Sequence, residues 1–146
     1  MSGHVPVDGS ALPALLRILV IDDEVVIRTM LRRQLEQAGY AVIDAPDGQV
    51  ALAAARHQPP DIVLTDIFMP EKDGIEVIRE IRSRWSKCII IAMTGGSPVD
   101  PSGSIVKPAA LLLGADRILL KPFNQQTLLS AIKDTLLLTN AGKPSL

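Results

Sequence analysis

Short apolar runs alternate with helix-period stretches five times along this chain. LRILVI at 16–21 is a nearly unbroken apolar run that stops at Asp22 and Asp23, and it predicts a buried strand. From Val25 the spacing becomes helical, with Ile27, Met30, Leu31, Leu35 and Ala38 predicted on one inward face. Gly39 is placed to end that helix in a left-handed conformation. Tyr40 to Asp44 predicts a second strand, and Asp47 an N-cap for an alanine-rich helix from Val50 to Arg56. Pro59 and Pro60 close the following loop. Ile62 to Asp66 predicts a third strand, and Gly74 to Arg84 a helix with Ile75, Ile78 and Ile81 inward. Cys88 to Thr94 is a fourth, almost wholly apolar strand. Leu111 to Leu113 end a helix closed by Gly114, and Arg117 to Lys121 is the fifth strand. Asn124 caps a last helix predicted to reach about Leu138.

Strands without polar alternation are covered on both faces, which means a parallel sheet. Parallel crossovers are right-handed. The predicted fold is α/β, a flavodoxin-like (βα)5 doubly wound sandwich with a five-stranded parallel sheet in the order 2-1-3-4-5. Residues 1–14, which contain Gly3, Pro6, Gly9 and Pro13, read as a flexible leader. Residues 15–139 read as the folded domain and 140–146 as a short tail, with no further domain expected.

Composition narrows this picture. The chain is 146 residues long, the size of one domain. It is 47% hydrophobic but only 3% aromatic, so the core must come from Ile, Val, Leu and Ala. A net charge of −1 without a basic cluster argues against direct nucleic-acid binding. The single cysteine, Cys88, allows no internal disulfide and reads as a small buried hydrophobe. No apolar run is long enough to span a bilayer, and the N-terminus lacks the pattern of a signal peptide. The expected location is therefore the cytoplasm, with no membrane partner.

The strand order gathers particular side chains. Strands 1 and 3 are neighbours, so Asp22, Asp23 and Asp66 converge at their carboxyl ends. Carboxylates that close cannot all ionise comfortably, and one solution is a bound cation. A hard divalent ion with oxygen ligands, Mg²⁺ first, suits such a site. Strand 4 ends at Thr94, ahead of Gly95 and Gly96, and strand 5 ends at Lys121, ahead of Pro122. A carboxylate nucleophile with a hydroxyl, an ammonium and a metal around it makes a site for a phosphoryl group. Each residue alone has a plainer reading. Asp22 and Asp23 read as helix caps, Thr94 as an ordinary strand residue, Lys121 as a surface lysine and Asp66 as a turn aspartate. Their joint arrival at strand ends is what selects the chemical reading.

The motifs RILVIDDE, DIVLTDIFMPEKDGIEVI, IIIAMTG and GADRILLKPF together resemble the receiver domain of two-component response regulators, from about Arg17 to Leu138. The resemblance implies a CheY-like, stand-alone phosphorelay protein. It implies that Asp66 is the phosphoacceptor, served by a histidine kinase or a histidine phosphotransfer protein. Asp23, Asp66 and the backbone carbonyl of Phe68 would ligate Mg²⁺ (or Mn²⁺), with Asp22 assisting through water. Thr94 would bind a phosphoryl oxygen and swing inward on activation, with Gly95 beside it. Lys121 would pair with the phosphate, and its peptide bond to Pro122 would be cis. The downstream partner is a protein the sequence does not name, and the expected state is a monomer or weak homodimer. The chain would promote only its own phosphorylation and dephosphorylation, and is not otherwise an enzyme.

Three positions depart from the family pattern. Ile118 stands where receivers usually carry a Tyr or Phe, so the usual aromatic switch is missing. Phe68 stands two residues after the acceptor, where a polar side chain is common, and its ring is expected to hinder attacking water. The stretch GGSPVDPSGSIVKP, 95–108, lengthens the segment between Thr94 and Gly114 beyond the usual. Its prolines and glycines predict a long loop and a shortened or kinked fourth helix.

Two other classes compete. A phosphorylation-independent adaptor would keep the fold and dispense with the chemistry. An aspartyl-phosphate phosphatase of the haloacid-dehalogenase type would want a second acid two residues after the nucleophile, where Phe68 stands. Neither GxGxxG nor a Walker A sequence is present, which excludes the common nucleotide-binding loops.

Overall fold

Strand β3 (Ile62–Asp66) lies at the centre of a five-stranded parallel sheet, with β1 (Arg17–Ile21) and then β2 (Ala41–Ala45) on one side of it and β4 (Ile89–Thr94) and then β5 (Arg117–Leu120) on the other. The order is β2-β1-β3-β4-β5, as the apolar runs predict. Helices α1 (Val25–Gln37), α2 (Gly48–His57), α3 (Gly74–Arg84) and α4 (Gln125–Gly142) are the four helices of this length among the described residues. The computed structural model describes residues 15–67, 74–95, 110–111 and 113–142. Expectations for the leader, for Phe68, for 96–109 and for Leu112 lie outside the described residues.

The period-two geometry of a strand sorts the sheet's side chains between two cores. Leu19, Ile21, Val63, Ile90 and Ala92 face one side, with Ala51, Leu52 and Ala55 of α2 and Val77, Ile78 and Ile81 of α3. Ile18, Val20, Ile62, Leu64, Ile89, Ile91 and Met93 face the other, with Leu31 and Leu35 of α1 and Leu128, Ala131 and Ile132 of α4. Ile18–Ile21 of β1, Ile62–Leu64 of β3 and Ile89–Met93 of β4 are unbroken apolar runs for a physical reason: both faces of these strands are covered. A fully buried side chain such as Ile90 or Leu64 contributes about 1.5–3 kcal/mol through burial.

The local signals act where the sequence places them. Gly39 has φ 99° and Gly114 φ 127°, the left-handed conformations that stop a helix. Asp47 accepts the Val50 N–H at 2.9 Å, and Asn124 accepts the Thr127 N–H at 2.8 Å. Cys88 is buried immediately before β4. Two details of α1 differ from expectation. Met30 is 43% exposed and Ala38 is also exposed, because only the i, i+4 row of Ile27, Leu31 and Leu35 turns toward the sheet. Met30 is a third of a turn away from that row. The last helix also runs four residues past Leu138, to Gly142.

The parallel register builds a staircase at the carboxyl edge of the sheet. Ile21 pairs with Thr65, which brings Asp22 level with Asp66. Asp66 pairs with Met93, and Thr94 pairs with Leu120. Backbone bonds carry the ladder past the strand ends, from Asp22 N–H to the Ala45 carbonyl, Ile67 N–H to Met93, and Lys121 N–H to Thr94.

Candidate functional site: an acidic cluster closed by a lysine

Asp22 is fully buried, Asp66 is 6% exposed and Thr94 is fully buried. Buried carboxylates are costly unless paired and hydrogen-bonded. Here the Lys121 ammonium supplies the pairing, donating to Asp22 Oδ2 at 2.9 Å and to Asp66 Oδ2 at 3.2 Å. Asp22 Oδ1 accepts the Glu24 N–H at 2.9 Å, which folds the turn after β1 back onto its own carboxylate. The Thr65 hydroxyl donates to the Asp66 carbonyl at 3.0 Å. No buried side-chain nitrogen or oxygen among the described residues lacks a partner.

Burial by itself lowers the Lys121 pKa. The hydrogen bond to Asp22, the charges of Asp66 and Asp22, and the hydrogen bond to Asp66 outweigh it, and the net shift is upward. Lys121 is thus held as a cation between the two carboxylates.

Asp23, exposed beside Asp22, completes an oxygen cluster. One carboxylate oxygen each from Asp22, Asp23 and Asp66 lie within 4.8 Å of one another. Opposite oxygens around a Mg²⁺ ion stand about 4.2 Å apart and adjacent ones about 3 Å, from its short, near-octahedral bonds. Three hard anionic donors at this spacing, one of them open to water, fit a partly hydrated divalent cation.

Two residues outside the predicted set hold this geometry. The Arg28 guanidinium donates to the Asp22 carbonyl at 2.7 Å and to Asp44 Oδ2 at 2.8 Å. Gly74 is buried at the start of α3 and donates its N–H to the Ile67 carbonyl at 3.0 Å. A Cβ on Gly74 would stand 2.6 Å from Ile67 Cα and 2.8 Å from its carbonyl oxygen, and would meet the Asp66 carbonyl as well. The backbone behind Asp66 is therefore seated directly on a glycine. A glycine opening a helix, where it is a poor former, was a readable signal for Gly74. Arg28 has no such signal, since a helical arginine is ordinary.

The structure brings Asp22, Asp23, Asp66 and Lys121 together and puts Thr94 at the adjoining strand end. Gly95 is exposed, with 3.7 Å from its would-be Cβ to Lys121 Cβ. Ile118 is half-buried and packs on the core beneath α2 and α3. The Lys121–Pro122 bond is cis. The Phe68 carbonyl lies outside the described residues.

A family model described as the response regulator receiver domain matches residues 18–133. The chain belongs to that family. It is 36% identical over 129 residues to the alkaline phosphatase synthesis transcriptional regulatory protein PhoP of Bacillus subtilis, covering 88% of this chain and 52% of that protein. The chain thus spans about half the length of this curated relative. Among solved structures it is similar to the Vibrio cholerae chemotaxis protein CheY4, at 34% identity and a TM-score of 0.75, over 84% of this chain and 99% of that one. It is also similar to a CheY-like receiver domain protein from Methanospirillum hungatei, at 28% identity and a TM-score of 0.79, over 89% and 100% of the two chains. Receiver domains are the signalling domains of two-component systems. They generally bind Mg²⁺ at an acidic pocket, and they work with histidine kinases and downstream proteins. No helix among the described residues is long and apolar enough to cross a membrane.

Proposed function

We propose that this receiver accepts a phosphoryl group on Asp66 from a phosphohistidine donor, a histidine kinase or a phosphotransfer protein, and signals through a changed protein-binding surface. The observation that carries the reading is the setting of Asp66. Its carboxylate lies at the mouth of the sheet, 3.2 Å from a cationic Lys121, within an oxygen cluster suited to a divalent ion.

In the transfer, an Asp66 carboxylate oxygen forms a bond to phosphorus while the donor's bond to phosphorus breaks. Mg²⁺ or Mn²⁺ held by Asp22, Asp23 and Asp66 would supply neutralising charge to the phosphoryl oxygens. Lys121 keeps a counter-charge at the acceptor when the carboxylate becomes an acyl phosphate. The Thr94 hydroxyl, fixed at the end of β4, is a donor for a phosphoryl oxygen and the element whose shift reports the modification. Ile118, without an aromatic ring, gives this switch a different companion from that of most receivers. Residues 15–139 are the proposed functional unit.

The test is incubation with Mg²⁺ and a small acyl phosphate, followed by intact mass. The expected result is a gain of one phosphoryl group, abolished in Asp66→Ala. A gain that survives in Asp66→Ala would refute the acceptor assignment, and no gain with either small donor or kinase would favour a phosphorylation-independent adaptor.

A further inference from the structure

The turn Asp22–Glu24 carries two of the three clustered carboxylates, and its shape decides whether their oxygens converge. Within the turn, one hydrogen bond, Glu24 N–H to Asp22 Oδ1, spans its ends. From outside, Arg28 reaches it. This side chain projects from the first turn of α1, mostly buried, and forks: Nη1 donates to the Asp22 carbonyl at 2.7 Å, and Nε donates to Asp44 Oδ2 at 2.8 Å. Asp44 lies on β2, whose register with β1 is fixed by Val20↔Asp44. The guanidinium therefore ties the turn to the sheet through a planar, two-ended contact that an ammonium cannot reproduce.

Asp44 has a second partner. Arg32 Nη1 donates to Asp44 Oδ1 at 2.6 Å, and Arg32 also pairs with Glu36 at 3.4 Å. Among the described residues Arg32 bonds to Asp44 and Glu36 and not to the turn, so the two arginines share an anion while Arg28 alone of the two holds the Asp22 carbonyl. This asymmetry separates a role in shaping the turn from a role in general helix anchoring.

We propose that Arg28 is a positioning residue, which holds the Asp22–Glu24 turn in the shape that converges the Asp22 and Asp23 carboxylates on Asp66. The inference rests on reading those carboxylates as a divalent-cation site. Charge and geometry predict opposite signs here. Removing a cation from beside an acidic cluster tightens cation binding if only charge matters. Releasing the turn weakens it.

The experiment titrates Mg²⁺ into the full chain by calorimetry for the parent, Arg28→Met, Arg28→Lys and Arg32→Met. Denaturant midpoints confirm that each variant is folded. Arg28→Met is expected to bind Mg²⁺ roughly 10-fold more weakly, the lower range for losing a partner that orients a metal ligand. Arg28→Lys keeps the charge and is expected to weaken binding in the same direction, which also covers the case of a poorly folded methionine variant. Arg32→Met is expected to bind like the parent. A metal-free readout accompanies it: amide exchange at Glu24, in chelator, accelerates in Arg28→Met and not in Arg32→Met. Equal or tighter Mg²⁺ binding in both Arg28 variants, or equal effects of Arg28→Met and Arg32→Met, overturns the inference while leaving phosphoryl acceptance intact. A parent that binds no Mg²⁺ overturns the cation-site reading along with it.

Discussion

The Lys121 ammonium donates to Asp22 Oδ2 at 2.9 Å across 99 positions of sequence, and the same nitrogen reaches Asp66. One cation thus spans the ends of β1, β3 and β5. It compensates two buried acids and stands beside the oxygen that is proposed to attack phosphorus.

Lys121→Met leaves both carboxylates buried without their counter-ion. Breaking a buried ion pair by removing one partner costs roughly 3–5 kcal/mol. The expected loss is near the lower end, since Asp22 keeps the Glu24 N–H. Urea unfolding in chelator measures it. Millimolar Mg²⁺ is expected to restore part of the loss, because a divalent ion then supplies the missing positive charge. A midpoint that stays unchanged in both conditions would contradict the pairing.

Alkaline pH tests the same contact. The Lys121 pKa is raised in the fold, with burial opposing and the pairing to Asp22 and Asp66 prevailing. A base with a raised folded pKa contributes stability that is fully present below its unfolded value, about 10.4, and is lost as pH rises through the folded value. Stability is therefore expected to fall above about pH 10.4, and to fall less steeply in Lys121→Met. Burial also raises the Tyr40 pKa, which favours its neutral form in the fold and takes stability away over the same alkaline range. Tyr40→Phe removes that share, so denaturant midpoints of the two variants between pH 9 and 12 separate the contributions.

Gly74→Ala sets helix propensity against packing. Alanine favours a helix by about 1 kcal/mol over glycine. The added Cβ meets the backbone of Asp66 and Ile67, which cannot swing away as a side chain can. Overpacking typically costs about 1–3 kcal/mol, so net destabilisation is expected. Thermal unfolding reads the stability, and phosphorylation kinetics with a small donor read the displacement of Asp66. A more stable variant with unchanged kinetics would show the contact to be yielding.

Arg82 ties the opposite edge of the sheet. Its guanidinium donates to the Gly114 carbonyl at 2.7 and 3.1 Å, to the Ser86 and Cys88 carbonyls at 2.7 Å each, and to Asp116 at 2.8 Å. The same Asp116 oxygen accepts the Ile90 N–H at 2.8 Å. Arg82→Met is expected to cost about 2–3 kcal/mol, the scale for charged hydrogen bonds lost together with exposed carbonyls. Asp116→Asn is expected to cost less, since an amide oxygen still accepts from Ile90. Hydrogen exchange at the Ile90 amide is expected to accelerate in both, and more in Arg82→Met.

The sequence by itself determined the strands, their parallel pairing and the convergence of Asp22, Asp23, Asp66, Thr94 and Lys121. Those properties follow from period, length and strand order, all carried by local patterns. The helix stops at Gly39 and Gly114 and the caps at Asp47 and Asn124 were legible for the same reason, because each acts on backbone within four residues. Only the tertiary structure decided that Lys121 bridges Asp22 and Asp66, that Arg28 grips the Asp22 carbonyl, and that Gly74 seats the backbone behind Asp66. It also decided that Met30 faces solvent while Leu31 does not. Those outcomes depend on register, helix rotation and close approach between segments far apart in the chain, and a difference of one residue or a third of a helical turn changes each of them.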